Sequence, residues 1–419
     1  MSLTFLDLFA GGGGLSEGFI RAGFTPVAHV EADKAACFTL KTRMAYHWLI
    51  QHSHHERYID YVHGNISRPQ FYESVPDSVI ASVINAEIGQ ESLCSIFNYI
   101  DTLLDGRQLD LIVGGPPCQA YSLVGRSRDK NRMRGDKRNY LYTFYGEFLR
   151  RYKPKYFVFE NVAGLLSAKA LDGDLYFDKM RSLFKEVGYE TEHNILSASK
   201  FGVLQNRSRI ILVGKRGDTT GFYPEPEPWI PKEVVVNEVF KDLPAICAGQ
   251  GSVRPCKVKS YNGTYLYTAG IKNIELPVTF HTARTHNERD LEIYKIAITK
   301  WNKNHERLDY NDLPERLKTH YNRTSFLDRF KVIAGDMPFS HTIVAHISQD
   351  GHFSIHPDIG QCRSLTPREA ARLQTFPDDY FFESTIPVPG RSPAFKQIGN
   401  AVPVLLAHKI AKKLLEVWG

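Results

Sequence analysis

Cysteine is scarce in this 419-residue chain: six residues, at 37, 94, 118, 247, 256 and 362, with no CxxC pair among them. That spacing excludes a disulfide framework and a zinc ribbon, and it fits reduced thiols in a cytoplasm. Long apolar runs are missing too. No stretch approaches the ~20 residues a membrane span needs, so none is expected. Met1–Thr4 passes straight into a strand-like run, and no signal peptide is expected. Charge of one sign barely dominates: 52 Lys and Arg against 46 Asp and Glu leave a net +6. Such an excess permits a nucleic-acid partner without requiring one, and placement matters more than sum.

What is present begins with strand, glycine turn, helix. Thr4–Phe9 reads as a first strand, Ala10-Gly11-Gly12-Gly13-Gly14 as a turn, and 16–24 as a helix. Glycines at that position let the backbone approach a ligand at a helix N-terminus. A second strand, Pro26–Val30, ends at Glu31, about 20 residues after the glycines, where an acid commonly holds a ribose hydroxyl. These two features do not separate NAD from S-adenosylmethionine. His63-Gly64-Asn65 reads as the end of a third strand, and 68–105 as a helical excursion without chemistry. The histidines at 47, 52, 54 and 55 read as a solvated surface rather than a metal site, since nothing downstream completes a ligand set.

Leu111-Ile112-Val113 has the length and β-branching of a buried strand, and it stops at Gly114-Gly115-Pro116-Pro117-Cys118-Gln119. The two prolines fix φ and donate no hydrogen bond, so the chain leaves the strand in a rigid extended turn. Cys118 thereby falls at a carboxyl edge where open α/β sheets hold ligands. Taken alone it fits a buried structural cysteine better than a nucleophile; its partners decide. Arg126, Arg128, Lys130, Arg132, Arg134, Lys137 and Arg138 follow with no hydrophobic period, as in a mobile basic loop suited to a phosphate backbone. Residues 140–152 are helical in pattern. Tyr156–Phe159 is a buried strand that delivers Glu160 to the same edge as Cys118, where desolvation should raise its pKa toward one useful for proton donation. Gln205, Arg207 and Arg209 alternate onto one side of a strand at 210–213, a costly placement for arginine unless it faces a site.

Prolines 224, 226, 228 and 231 mark a linker. Residues 217–360 lack βα alternation and read as a second, smaller domain. Its histidines at 281, 286, 341, 346, 352 and 356 suit a polar or nucleic-acid-facing surface. Thr366-Pro367 with Glu369 starts a capped helix, and an apolar helix from 404 to 418 is expected to return to the first domain.

Asp7-Leu8-Phe9-Ala10-Gly11-Gly12-Gly13, Pro116-Pro117-Cys118-Gln119, Glu160-Asn161-Val162, Gln205-x-Arg207-x-Arg209, Arg363-x-Leu-Thr-x-Arg368-Glu369-x-Ala-Arg372-Leu-Gln and Gly399-Asn400-Ala401-Val402 occur in this order. Together they resemble the cytosine-C5 DNA methyltransferase family over nearly the whole chain. The resemblance implies a doubly wound, Rossmann-like α/β domain for S-adenosylmethionine (1–216 plus 390–419) and a smaller, mixed, mostly β target-recognition domain (217–389). It implies Cys118 as the nucleophile on cytosine C6, Glu160 holding ring N3, Arg209 holding O2 and Arg207 supporting them. Asp7, Phe9, Ala10, Gly11, Gly13, Glu31, Asn65, Pro116, Leu141, Asn400 and Ala401 would hold the cofactor, with Asn65 standing where an Asp is usual. Gln119, Ser122, Arg126, Arg128 and Arg132 would contact DNA around a flipped base. The expected product is S-adenosylhomocysteine, with no metal. The partner is double-stranded DNA, and the enzyme is expected to act as a monomer in a prokaryotic cytoplasm, paired with a restriction endonuclease. A tRNA cytosine methyltransferase and a catalytically silent DNA-binding homologue are the competing readings. An NAD-dependent oxidoreductase shares the opening βαβ unit but gives no reason for the Pro-Pro-Cys-Gln turn.

Overall fold

The computed structural model describes residues 2–117, 140–272 and 276–418. Cys118, Gln119, Ser122, Arg126, Arg128 and Arg132 lie outside these residues.

Seven strands form one sheet: β1 (Thr4–Leu8), β2 (Thr25–Glu31), β3 (Val83–Asn85), β4 (Leu111–Gly114), β5 (Tyr156–Asn161), β6 (Tyr189–Ser197) and β7 (Ser208–Arg216), in the order β3-β2-β1-β4-β5-β7-β6. β1 to β5 pair in parallel, and β7 runs antiparallel between β5 and β6. The order reverses between β1 and β4, so the carboxyl ends of those two strands open a crevice.

Alternation along the strands sends side chains into two cores. Phe5, Leu111, Val113, Tyr156 and Val158 face one apolar cluster; Leu6, Leu8, Ile112, Phe157 and Phe159 face the other. The first is covered by helices Gly14–Arg21 and Val404–Glu416, so the C-terminal helix does return to the sheet. The second is covered by helices Leu93–Leu104, Leu141–Tyr152 and Tyr176–Glu186.

Beyond β7 the chain is mainly irregular. Residues 217–389 hold two two-residue strands, Gly251–Ser252 and His281–Thr282, and one long helix, Glu288–Asn304, among the described residues. The mostly β expectation for this region does not hold. Side chains there bury themselves against loops and polar networks instead of pairing strands. A satellite cluster gathers Ile293, Tyr294, Ile298, Leu308, Tyr310, Phe330 and Ile355. Leu365, Leu373, Phe376, Tyr380 and Phe382 instead share the cluster of Phe5 and Phe19.

Helix Pro367–Leu373 starts as its sequence indicates, with Thr366 and Glu369 forming a reciprocal capping box. The arginines on it and just before it are fully buried and paired. Arg363 binds Glu369 at 2.7 Å; Arg372 binds Asp242 and, at 2.6 Å, Asp378. Of the six histidines expected on the surface, two are internal, three are half-buried and His346 is exposed. His281 and His356 are buried, and His281 lies between Thr366 Oγ1 and the Pro244 carbonyl. Burial pushes His286, His341 and His356 down to about 4. His47 is half-buried and bonds Glu17 at 2.9 Å, so it too departs from a purely solvated reading.

Candidate active site

The crevice at the strand reversal is a cavity of about 1320 Å³. Its floor is the chain after β1. Phe9 takes φ 58°, a left-handed conformation that a bulky residue adopts only when its surroundings impose it. Gly11 and Gly13 also have positive φ, and Gly13 N–H donates to the Ala10 carbonyl at 3.0 Å, closing the turn. A Cβ on Gly12 would meet Gln397, and one on Gly14 would meet Val402 and Ala401. Only glycine lets the turn sit between the cavity and the C-terminal segment. Asp7, Phe9, Ala10 and Gly11 line the cavity. Gly13 does not. It is the left-handed N-cap of helix Gly14–Arg21, packed under the Tyr380 hydroxyl.

The wall after β2 is Glu31. Its carboxylate accepts from Gly11 N–H at 2.8 Å and Asp33 N–H at 2.7 Å, while burial raises its pKa. Asp7 lies behind it. Both Asp7 oxygens are buried without a hydrogen-bond partner, and burial together with Glu31 holds its pKa well above the usual carboxylate range. A buried, partnerless acceptor beside a glycine cradle and a ribose-type acid fits a ligand carrying a cationic end and a nucleoside, as S-adenosylmethionine does.

The third wall corrects the sequence reading. Glu56–His63 is a helix ended by Gly64 at φ 85°, and Asn65 is exposed beyond it, bonded to Asp60. Asn65 therefore stands away from the cavity. The glycine that reads as a strand end is a helix cap. The true third strand is Val83–Asn85, three residues long and too short to leave a period in the sequence. Asn85 Nδ2 donates to the Glu31 and Ala32 carbonyls, and Ala86 to Ser92 line the cavity. The 68–105 stretch is thus part of the site.

The remaining wall carries the polar chemistry. Gly115, Pro116 and Pro117 leave β4 along the cavity, and Asn161 Nδ2 donates to the Pro116 carbonyl at 3.3 Å, holding the turn against β5. Glu160 packs over Gly115, where a Cβ would strike its carboxylate. Arg209 Nε meets Glu160 at 2.8 Å. Burial raises the Glu160 pKa against the opposing pull of Arg209 and Arg207, as its position after an apolar strand implies. Arg207 is buried beside the cavity and clamps the Ile343 carbonyl (2.9 Å) to the Gly399 carbonyl (3.2 Å). Gln205 bonds Leu373, Gln374 and Ile343, so this strand entry is tied to two later segments. Leu141, Asn400 and Ala401 complete the lining.

Asn161, Phe144, Ser348, Lys396 and the 86–92 segment also border the site and escape sequence reasoning. Lys396 and Asp33 form a 2.6 Å ion pair on that border. Among the described residues no cluster of three or more potential metal ligands occurs, and no helix is long and apolar enough to cross a membrane.

A doubly wound sheet with a glycine turn and acidic strand ends at its reversal point defines a nucleotide-cofactor protein. Residues 3–71 and 86–416 match the C-5 cytosine-specific DNA methylase family. The chain is 40% identical to a type II methyltransferase, M.Bpa9945I, of Bacillus paralicheniformis over 98% of both chains. It is 28% identical to the type II methyltransferase M1.HphI of Haemophilus parahaemolyticus over 100% of this chain and 88% of that one. A crystal structure of a prophage-encoded DNA modification methyltransferase from E. coli shares the fold, with TM-score 0.64 and 23% identity, over 100% of this chain and 99% of that one. The chain belongs to the C-5 cytosine-specific DNA methylase family and is a DNA cytosine-C5 methyltransferase.

Proposed function

We propose that this enzyme methylates C5 of a cytosine flipped out of a specific duplex sequence, through a covalent bond from Cys118 to C6, as the modification arm of a type II restriction–modification system. The Glu160–Arg209 pair carries the reading: a carboxyl of raised pKa, oriented by a guanidinium, on the cavity that the glycine turn and Asp7 bound on its far side.

Cytosine C5 is a weak nucleophile. Thiolate addition at C6 makes it enamine-like, splitting one hard step into two. Glu160 holds N3 and supplies the proton that stabilises the charge developing in the ring. Arg209 fixes Glu160 and holds O2, while Arg207 keeps the 343 and 399 segments against this edge. C5 then takes the methyl group; water accepts the C5 proton, N3 returns its proton to Glu160, and the C6–S bond breaks to release the Cys118 thiolate. Asp7, Phe9, Ala10, Gly11, Glu31, Pro116, Leu141, Asn400 and Ala401 would hold S-adenosylmethionine, which when bound supplies an electrophilic methyl group. The cofactor-holding role expected of Asn65 passes to Glu87, the acid on the cavity-lining segment after β3. Gln119, Ser122, Arg126, Arg128 and Arg132 would fill the gap left by the base and clamp phosphates. The region around helix Glu288–Asn304, with its own apolar cluster, suits target reading.

Labelled S-adenosylmethionine incubated with mixed duplex DNA and, separately, with tRNA tests the substrate. Label on DNA C5 at one recurring short sequence is expected. Label on tRNA alone changes the substrate, and label on neither removes the activity. Cys118→Ser is expected to bind DNA but form no covalent adduct with a 5-fluorocytosine duplex; an adduct surviving the change removes Cys118 from its role.

A further inference from the structure

The cofactor turn makes one contact that comes from far along the chain and that no motif accounts for. Tyr380 is fully buried, and its hydroxyl donates to the Gly12 carbonyl at 2.8 Å, across 368 residues. The same hydroxyl occupies the space that a Cβ on Gly13 would need. Gly12 lines the cavity on its other side. The turn is therefore held between two grips: Glu31 accepts the Gly11 N–H, and Tyr380 donates to the next residue's carbonyl.

Tyr380 itself has little freedom. Its ring lies 4.8 Å from Phe376 and 5.2 Å from Phe382, and Arg43 stands over its face at 4.8 Å. Arg43 in turn bonds Glu17 on the helix that the turn opens. The Tyr380 carbonyl is gripped by Arg368, which also holds the Pro377 carbonyl and Thr279. A buried hydroxyl with a single acceptor and a ring fixed on three sides sets where the Gly12 carbonyl sits, and through it the orientation of the peptide planes facing the ligand.

We propose that Tyr380 is a positioning residue for cofactor binding: its hydroxyl sets the shape of the Gly11–Gly13 turn that receives S-adenosylmethionine. The inference rests on the cavity being the cofactor site.

The test compares Tyr380→Phe with Tyr189→Phe, using S-adenosylhomocysteine binding by calorimetry and steady-state kinetics. Tyr189 is a matched control: it is equally buried and donates to the Pro154 carbonyl at 2.7 Å on the edge strand β6, away from the turn and from Tyr380. Removing one buried hydrogen bond to the turn should weaken S-adenosylhomocysteine binding about threefold to tenfold in Tyr380→Phe and raise KM for S-adenosylmethionine by the same factor. The kcat at saturating cofactor should stay within about twofold, since no reacting atom is touched. Tyr189→Phe should lower the melting temperature comparably yet keep wild-type affinity. Equal affinity in Tyr380→Phe and the unsubstituted protein, or equal weakening in both variants, would overturn the proposal. No binding by the unsubstituted protein would overturn the cofactor reading along with it.

Discussion

Asp7 is a residue that the ligand-free fold holds at a cost. Its carboxylate is buried, has no hydrogen-bond partner, and titrates well above the usual range because burial and Glu31 both oppose ionisation. A folded value above the unfolded one means that stability is fully present at low pH and is lost as pH rises through the raised value. At pH 8 the ligand-free fold therefore carries an uncompensated group. Asp7→Asn should raise ligand-free stability by about 1–3 kcal/mol at pH 8, and by much less at pH 4, while weakening S-adenosylhomocysteine binding. Urea titrations at the two pH values check this; equal effects at both would show that ionisation of Asp7 is irrelevant. At this scale the sequence was informative about placement where an apolar strand ends in an acid, as for Glu31 and Glu160. It misled at Asn65, where a helix-capping glycine has the same local signature as a strand-ending one.

Among elements, the contact between helices Gly14–Arg21 and Val404–Glu416 decides whether the glycine turn is presented at all. Gly18 faces Ala407 so closely that a Cβ there would collide with the Ala407 side chain and backbone. Alanine would gain about 1 kcal/mol of intrinsic helix propensity. Forcing two packed helices apart costs about 1–3 kcal/mol, and the shifts would reach the first turn of a helix that borders the cavity. Gly18→Ala should thus lower the urea midpoint despite its better propensity, with loss of cofactor affinity. A stabilised variant would mean that the helices separate freely. Only the pairing of helices 390 residues apart in sequence explains this glycine; from the sequence it looks like a mild defect in an otherwise ordinary helix.

For the whole molecule, pH is the broadest lever. His356 is buried with Nδ1 accepting from Asp358 N–H, and burial pushes it down to about 4. A folded value below the unfolded ~6.5 means that protons bind the unfolded chain preferentially, so this stability holds above pH 6.5 and drains away as pH falls toward 4. The raised carboxylates of Glu31, Glu160 and Glu383 act in the opposite sense. Comparing slopes between the unsubstituted protein and His356→Gln cancels them. The slope of stability against pH between 6 and 4.5 should be smaller in the variant by up to about 1.4 kcal/mol per pH unit, the value for one proton. Identical slopes would show that His356 is not the titrating group.

The doubly wound order came with the family resemblance, while local composition and spacing were enough to determine the opening βαβ unit, the glycine turn, the capped helix at Thr366 and the placement of Glu160 and Arg209. Each of these is written in a short window: an apolar run, a turn residue, a charge at a strand end. Tertiary structure alone decided the rest. It put Gly13 under Tyr380 rather than against the cavity, moved the third strand to Val83–Asn85 and sent His281 and His356 inside. It also made Arg207 a clamp between residues 343 and 399. The physical reason is common to all four: what a side chain does there depends on a partner brought close by sheet order and helix packing, and sequence distance carries no trace of that neighbour.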